Sequence, residues 1–370
     1  MKLLVIHWGS TGGGPRFASA MATAIDLSQD LEVRTSFNPS AAEFWRGDMT
    51  NSFPVRTYRS KTAMVTGLPR LLFTSLRLRR YIRRENFDVI YSPMFSIWQS
   101  LGSLVFLPAR STYASSIHDA VPHPGDEHWL ISFCSRIDRR RADIIVCYSD
   151  SVAAAVRELL RTPTPVVVVP HGVDLDDSAE PKVLRQFDEA NPLVLGFFGR
   201  LTRYKGIDLF AELIHELNRR RLPVRGVVRG AGQVETAVLS SSPPNIDWSN
   251  SWVAEAEVDP LVRSFDLLVL PYKEASQSGV LALAAGRGVP IIATPVGGLS
   301  EQLADTAGGI VAERVDAISL ADAVEQTVKD PAVYSELSRS AIDRTRAKTS
   351  WRHAAKELEL HFRQFLAQKG

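Results

Sequence analysis

Cysteine is nearly absent from this 370-residue chain, with only Cys134 and Cys147. Neither lies in a metal-ligand spacing and two cysteines make no disulfide framework, so a reducing compartment is expected. Charge of one sign is also lacking: the formal net charge is +2. That argues against general nucleic-acid binding, which needs a strongly basic face. Long apolar runs are missing too. SIWQSLGSLVFLP (96–108) comes nearest to the roughly 20 residues of a membrane span and is too short. The opening MKLLVIHWGSTGGG lacks the long apolar region of a signal peptide and reads as a first strand, so a cytoplasmic location is expected. No fixed-period repeat and no low-complexity tract is present. The G-x-G-x-x-G dinucleotide fingerprint follows neither half's first strand, which weighs against a dehydrogenase.

What is present is an ordinary globular composition, 45% hydrophobic and 23% charged, long enough for two domains. Short apolar runs alternate with helical patterns. Strand candidates in the first half are KLLVIHW (2–8), DVIYS (88–92), YASSIHD (113–119), DIIVCYS (143–149) and PVVVVP (165–170). Those in the second are LVLGFFG (193–199), VRGVVRG (224–230), NIDWSN (245–250), DLLVLPY (266–272) and PIIAT (290–294). Near-continuous Val/Ile/Leu runs fit parallel strands buried on both faces, and strand–helix alternation predicts doubly wound α/β domains. The polar stretch 172–192, with two prolines, is the expected linker. Domains are thus expected at 1–175 and 176–348, with a cleft between them lined by strand ends and helix N-termini. Residues 349–370 read as an amphipathic helix carrying Trp351, Ala355, Leu358, Leu360, Phe362 and Leu366, expected to pack against the second domain.

Four glycine-bearing strand-to-helix junctions stand out. In GRLTRYKG (199–206), Gly199 permits a sharp turn or a close ligand approach, and Arg200 and Lys205 precede a helix spaced by Ile207, Phe210, Leu213, Ile214 and Leu217. Cations at a helix N-terminus oppose its dipole, so helix stability does not account for them. An anion between them and free backbone N–H groups would; two solvated surface cations are the bland alternative. In STGGGPRFASAMATAI (10–25), Gly12, Gly13 and Gly14 free the backbone and Pro15 suits a first helical turn. In VVRGAGQVE (227–235), Gly230 and Gly232 follow a strand. The fourth junction runs from LVLPYKEASQSG into an alanine-rich helix ended by Gly288-Val289-Pro290. There the polar loop with Glu274, Ser276, Gln277 and Ser278 leads to a helix starting near Gly279, whose open N–H groups suit a phosphate; Ser278 as a simple N-cap is the competing reading.

In order and spacing, PVVVVPHGVD (165–174), FFGRLTRYKGIDL (197–209), RGAGQ (229–233) and PYKEASQSGVLALAAGRGVPIIATPVGGL (271–299) resemble the retaining glycosyltransferases of family 4. That family has the GT-B fold of two Rossmann-like domains. The resemblance implies that Arg200 and Lys205 clamp the donor diphosphate and that the amides of Gly279 and Val280 hold its phosphates. By the same resemblance Gly199, Gly230, Gln277 and Ser278 fall in the donor site, and Gly12 to Gly14 form the N-domain loop near donor and acceptor. His118 matches a histidine near the transferred sugar, Trp252 falls near the nucleotide base, and Glu274 would contact the donor sugar's hydroxyls. One departure is plain. Where many members place a second glutamate, this chain has Leu283, which cannot hydrogen-bond a ribose.

The expected activity is therefore transfer of a sugar, with retention, from a nucleoside-diphosphate donor to a hydroxyl of a glycan or lipid-linked acceptor, as in cell-surface polysaccharide synthesis. A nucleotide-sugar epimerase or a non-catalytic nucleotide-sugar binder on the same fold is the alternative. No cofactor and no metal is implied. The cluster His123, Asp126, Glu127 and His128 fits no zinc pattern and reads as an acceptor loop, and Asp174-Leu175-Asp176 reads as linker. Residues 68–88 carry Arg70, Arg77, Arg79, Arg80, Arg83 and Arg84 among leucines. A basic amphipathic helix can lie on the inner face of an anionic membrane, while a solvated helix face is the commoner explanation.

Overall fold

The computed structural model describes residues 1–370 except 11, 28–29, 46–49, 59, 110, 122–128, 174–178 and 370. The chain divides into two compact units, Met1–Gly172 together with Trp351–Gly370, and Val173–Ser350.

Unit 1 is built on β1 (Lys2–His7), β2 (Glu32–Phe37), β3 (Val89–Ser92), β4 (Thr112–Ile117), β5 (Ile144–Cys147) and β6 (Val166–Val168), in the order β2-β1-β3-β4-β5-β6. All neighbouring pairs are parallel. The crossovers carry α1 (Gly13–Asp26), α2 (Lys61–Thr66), α3 (Leu68–Glu85), α4 (Ile97–Phe106), α5 (Trp129–Arg141) and α6 (Asp150–Leu159). The unbroken apolar run of β1 follows from helices on both faces. Leu3 and Val5 join Phe17, Met21 and Ile25 of α1, while Leu4 and Ile6 join Leu78, Ile82, Phe106 and Val156 on the other side.

Unit 2 repeats the plan with β7 (Leu193–Phe198), β8 (Val224–Gly230), β9 (Ile246–Asn250), β10 (Leu267–Leu270), β11 (Ile291–Ala293) and β12 (Gly309–Val311), ordered β12-β11-β10-β7-β8-β9 and again parallel. Its helices are α7 (Ile207–Arg219), α8 (Thr236–Ser241), α9 (Glu255–Ser264), α10 (Gly279–Ala285), α11 (Gly298–Thr306), α12 (Ala317–Lys329) and α13 (Pro331–Arg344). In each sheet the strand order reverses once, beside β1 and β3 in unit 1 and beside β7 and β10 in unit 2. Ligands of open α/β sheets bind at the carboxyl ends of the strands at such a reversal.

Two expectations need correction. The last helix, α14 (Trp351–Lys369), packs on unit 1 and not on the second domain. Its buried residues Ala354, Ala355, Leu358 and Phe362 share the core of Phe17 and Met21, with the Phe362 ring edge-on to Tyr91 at 5.5 Å, whereas Leu360 is exposed. Small alanines on α14 let it lie close against α1, which the apolar stripe alone does not specify. The polar stretch read as a linker is also partly fixed. Lys182 donates through its backbone to Ser338 at 2.7 Å and through Nζ to the Arg263 carbonyl at 2.8 Å, and Arg185 grips Asp266 at 2.6 Å. Its polar residues are anchors along unit 2.

Candidate functional site

The strand reversal of unit 2 gathers most of the candidate residues. Gly199 ends β7 at φ 128° and Gly230 ends β8 at φ 150°, both in the region that favours glycine. A side chain on Gly230 would overlap the Gly199 carbonyl, so the two strand ends meet backbone to backbone. A Cβ on Gly199 would instead touch only Val280, 3.6 Å away, which puts the start of α10 over the end of β7. Gly206, at φ 69°, presses against the Pro271 carbonyl in the same way and brings the 200–206 turn to the end of β10. Asn250 spans Gly232 with two 3.0 Å hydrogen bonds, tying the end of β9 to the loop after β8.

Two tyrosines hold the cations. Arg200 donates to the Tyr204 hydroxyl at 2.9 Å. Lys205 donates to the Tyr272 hydroxyl at 2.8 Å, with its ammonium 4.0 Å from that ring's centroid. Tyr272 lies 3.3 Å from Ser278 Oγ, so one chain of polar contacts runs from Lys205 to the cap of α10. Ser278 is indeed the N-cap, accepting from the Leu281 amide at 3.3 Å, and its own backbone is held by Gln302 at 2.9 and 3.0 Å. Capping leaves the amides of Gly279 and Val280 without an acceptor inside the helix. Among the described residues Lys205 has no carboxylate partner, since both its contacts are with tyrosines. Lys205 is thus stacked on aromatics and linked through Tyr272 to the cap of α10, an arrangement chemically able to meet an anion. The first turn of α7 instead carries Asp208, paired with Lys273, so the helix dipole is served separately.

Gln277 is buried beside Ser278, whereas Glu274 is exposed on the loop before them and Trp252 is 64% exposed after β9. Leu283 is buried in the apolar cluster of Leu281, Val289 and Leu299, a core residue at the position the resemblance gives to a second glutamate. A cavity of about 650 Å³ in unit 2 lies at the opposite end of the sheet, lined by Arg221, Arg225, Asn245 and Asp247, and none of the candidate residues faces it.

In unit 1, α1 begins at Gly12 with φ 77° and no side-chain cap, followed by Gly13 and Gly14. His118 follows β4, with Nδ1 3.1 Å from Asp119 and its ring 6.5 Å from that of His171. His171 in turn packs edge-on to Phe17 at 5.0 Å. The loop residues His123, Asp126, Glu127 and His128, and the Asp174–Asp176 motif, lie outside the described residues. Among the described residues no three His, Cys, Asp or Glu side chains are grouped as a metal site. Nor is any helix among them long and apolar enough to cross a membrane.

Comparison with known proteins decides the family. Residues 29–177 match the model described as Glycosyltransferase Family 4, and residues 192–330 match that of Glycosyl transferases group 1. The chain is a family 4-type glycosyltransferase of GT-B fold. It is 28% identical over 250 residues to a D-inositol 3-phosphate glycosyltransferase of Corynebacterium aurimucosum, covering 59% of this chain and 56% of that protein. The match thus spans about half the length of its curated relatives. Among solved structures this glycosyltransferase resembles a sucrose-phosphate synthase from Thermosynechococcus elongatus, with TM-score 0.75, 15% identity and 99% of each chain covered. It also resembles Anabaena HepE in complex with UDP-glucose, with TM-score 0.68, 14% identity and 100% and 99% coverage.

Sequence reasoning missed the residues that support this site. Tyr204, Tyr272 and Gln302 hold Arg200, Lys205 and Ser278 respectively; Tyr204 stands four residues from its partner, inside GRLTRYKG, whereas Tyr272 and Gln302 stand 67 and 24 residues from theirs and carry no local mark.

Proposed function

We propose that this chain transfers a hexose from a nucleoside-diphosphate donor to a hydroxyl of a glycan or lipid-linked acceptor, retaining the anomeric configuration. The observation that carries the reading is the Lys205–Tyr272–Ser278 chain beside Arg200 at the strand reversal of unit 2. In this reading the guanidinium of Arg200 grips phosphate oxygens as a fork, Lys205 adds a compact charge, and the amides of Gly279 and Val280 complete the cradle. As the bond from the sugar's anomeric carbon to the phosphate oxygen breaks, negative charge gathers on the leaving diphosphate, and in this reading these donors neutralise it. The acceptor oxygen bonds to the anomeric carbon on the same face and its proton passes to a departing phosphate oxygen. Within unit 2, Glu274 is assigned to the transferred sugar and Trp252 to the base; in unit 1, the resemblance gives His118 a role toward the sugar. UDP-glucose is the first donor to test, since HepE was solved with it. Arg200→Ala and Lys205→Ala are each expected to lower donor turnover about 10²–10³-fold. Near-normal turnover in both variants would remove the clamp.

The surface of α3 supports a peripheral contact with an anionic membrane, where a lipid-linked acceptor would reside. Leu71, Ser75, Leu78 and Ile82 face the core, while Leu72, Phe73 and Leu76 are 51%, 62% and 38% exposed. They stand among the exposed Arg70, Arg77, Arg80, Arg83 and Arg84, and α3 holds no acidic residue before Glu85. A face kept in water alone normally mixes its charges and keeps large apolar side chains apart. Sedimentation with mixed phosphatidylglycerol–phosphatidylcholine vesicles should carry the protein down at low salt. Replacing Leu72, Phe73 and Leu76 together by serine should release it. Equal sedimentation with pure phosphatidylcholine would count against an electrostatic contact.

A further inference from the structure

Away from the strand reversal, the cavity of about 650 Å³ in unit 2 opens at the amino ends of β7, β8 and β9. Its volume is of the size that takes a small molecule. The frame around it is preset. Pro192, Pro223 and Pro244 lead into the three strands, and each holds its backbone angle fixed before any ligand arrives. The side-chain amides of Asn218 and Asn245 hold each other by two 3.0 Å hydrogen bonds, tying the end of α7 to the start of β9.

Arg221 is the residue on this wall that the fold does not account for. It stands at φ 61° just past α7. Its own N–H donates to the Asn218 carbonyl and the Leu222 N–H returns to the Leu217 carbonyl, both at 3.0 Å. Helices that end this way favour glycine at that place, because a side chain there strains the backbone. Nor does the helix dipole call for a third cation. Arg219 pairs with Glu216, and Arg220 pairs with Glu216, Asp322 and Glu325, all within 2.9 Å. Among the described residues the Arg221 guanidinium has no hydrogen-bond or carboxylate partner. Glu189, on the same cavity, has none either, and the two do not meet. Arg225, by contrast, is committed to Asp247 at 2.8 Å, on the carboxylate oxygen that Arg229 also holds.

This lining limits the ligand. Arg221 and Arg225 stand against Glu189 and Asp247, so the wall has no excess of positive charge to hold a nucleic acid or a diphosphate. What it leaves unanswered is one guanidinium and one carboxylate, apart from each other, beside Leu222 and the three prolines. A guanidinium grips a carboxylate or phosphate with two parallel hydrogen bonds, and a carboxylate accepts from hydroxyls. The proline and leucine surfaces suit the C–H face of a sugar ring. We infer that this cavity binds a monosaccharide-sized polyol bearing one anionic group, a sugar phosphate or a sugar acid. Its anionic group sits on Arg221 and its hydroxyls donate to Glu189. The inference does not rest on the transferase reading, whose residues lie at the other end of the sheet.

Calorimetric titration of the full chain tests it, with glucose 6-phosphate, glucuronate, glucose and inorganic phosphate as separate probes. Glucose 6-phosphate or glucuronate should bind, and the tighter of the two names the anionic group. Arg221→Gly is the deciding variant, because it removes the guanidinium and relieves the backbone at once. It should weaken binding about 10-fold or more while melting at the parent's temperature or above it. Glu189→Ala should weaken binding roughly 5-fold. Lys205→Ala should leave it unchanged. Silence from both anionic sugars at about 10 mM would overturn the inference. So would glucose binding as tightly as they do, or inorganic phosphate doing so, which marks an adventitious ion only. Affinity kept in Arg221→Gly, or lost in Lys205→Ala, would put the ligand elsewhere and overturn it as well.

Discussion

Asp138 on α5 keeps its carboxyl 6% exposed, accepting from Ser100 Oγ at 2.6 Å, and its second oxygen has no partner among the described residues. Burial pushes its pKa up to about 7, only partly offset by Ser100 and by the charge of Arg139. The folded state therefore binds a proton between about pH 4 and 7 that the unfolded chain has already released. Stability is greatest below that window and falls as pH rises through it, because there the native state holds more protons than the unfolded one. Asp138→Asn keeps the hydrogen bond and removes the titration. Its melting temperature should equal that of the parent near pH 4 and exceed it increasingly toward pH 8. A difference independent of pH would contradict the assignment. At this same scale the cations of GRLTRYKG, and Tyr204 among them, stand together in the sequence, whereas Tyr272, which holds Lys205, does not. A hydrogen bond such as Lys205–Tyr272 joins residues 67 apart and leaves no local trace.

Among the elements, ten strands can be read from apolar runs; the two that cannot, β2 and β12, are edge strands, while the opposite edges β6 and β9 are legible. β2 and β12 each have one neighbour. EVRTSF in β2 buries only its last three residues, and none of the three residues of β12 is fully buried. An edge strand with one half in water needs no continuous apolar run, so the signal that marks central strands is weak there. Glycines mark where elements must touch closely: Gly199, Gly206 and Gly230 allow β7, β8 and β10 to deliver their ends to one place. The start of α10 was readable as a phosphate cradle or as a plain cap, and the structure makes Ser278 the cap while leaving the next two amides outside the helix's own bonding. α3 separates a buried Leu/Ile stripe from an exposed face of arginine, leucine and phenylalanine, a division that periodicity foreshadows and burial makes concrete.

For the molecule as a whole, two parallel six-stranded sheets repeat one plan, and each offers a single strand reversal. The alternation of runs in the sequence was enough to expect this, but not the return of α14 to unit 1, because an amphipathic stripe does not name its partner. Calorimetric titration with UDP most directly tests whether the reversal in unit 2 takes the donor diphosphate. The parent should bind, and Arg200→Ala and Lys205→Ala should each weaken binding roughly 10- to 100-fold, the range expected for losing a charge-assisted hydrogen bond. Unchanged affinity for UDP in both variants would contradict it.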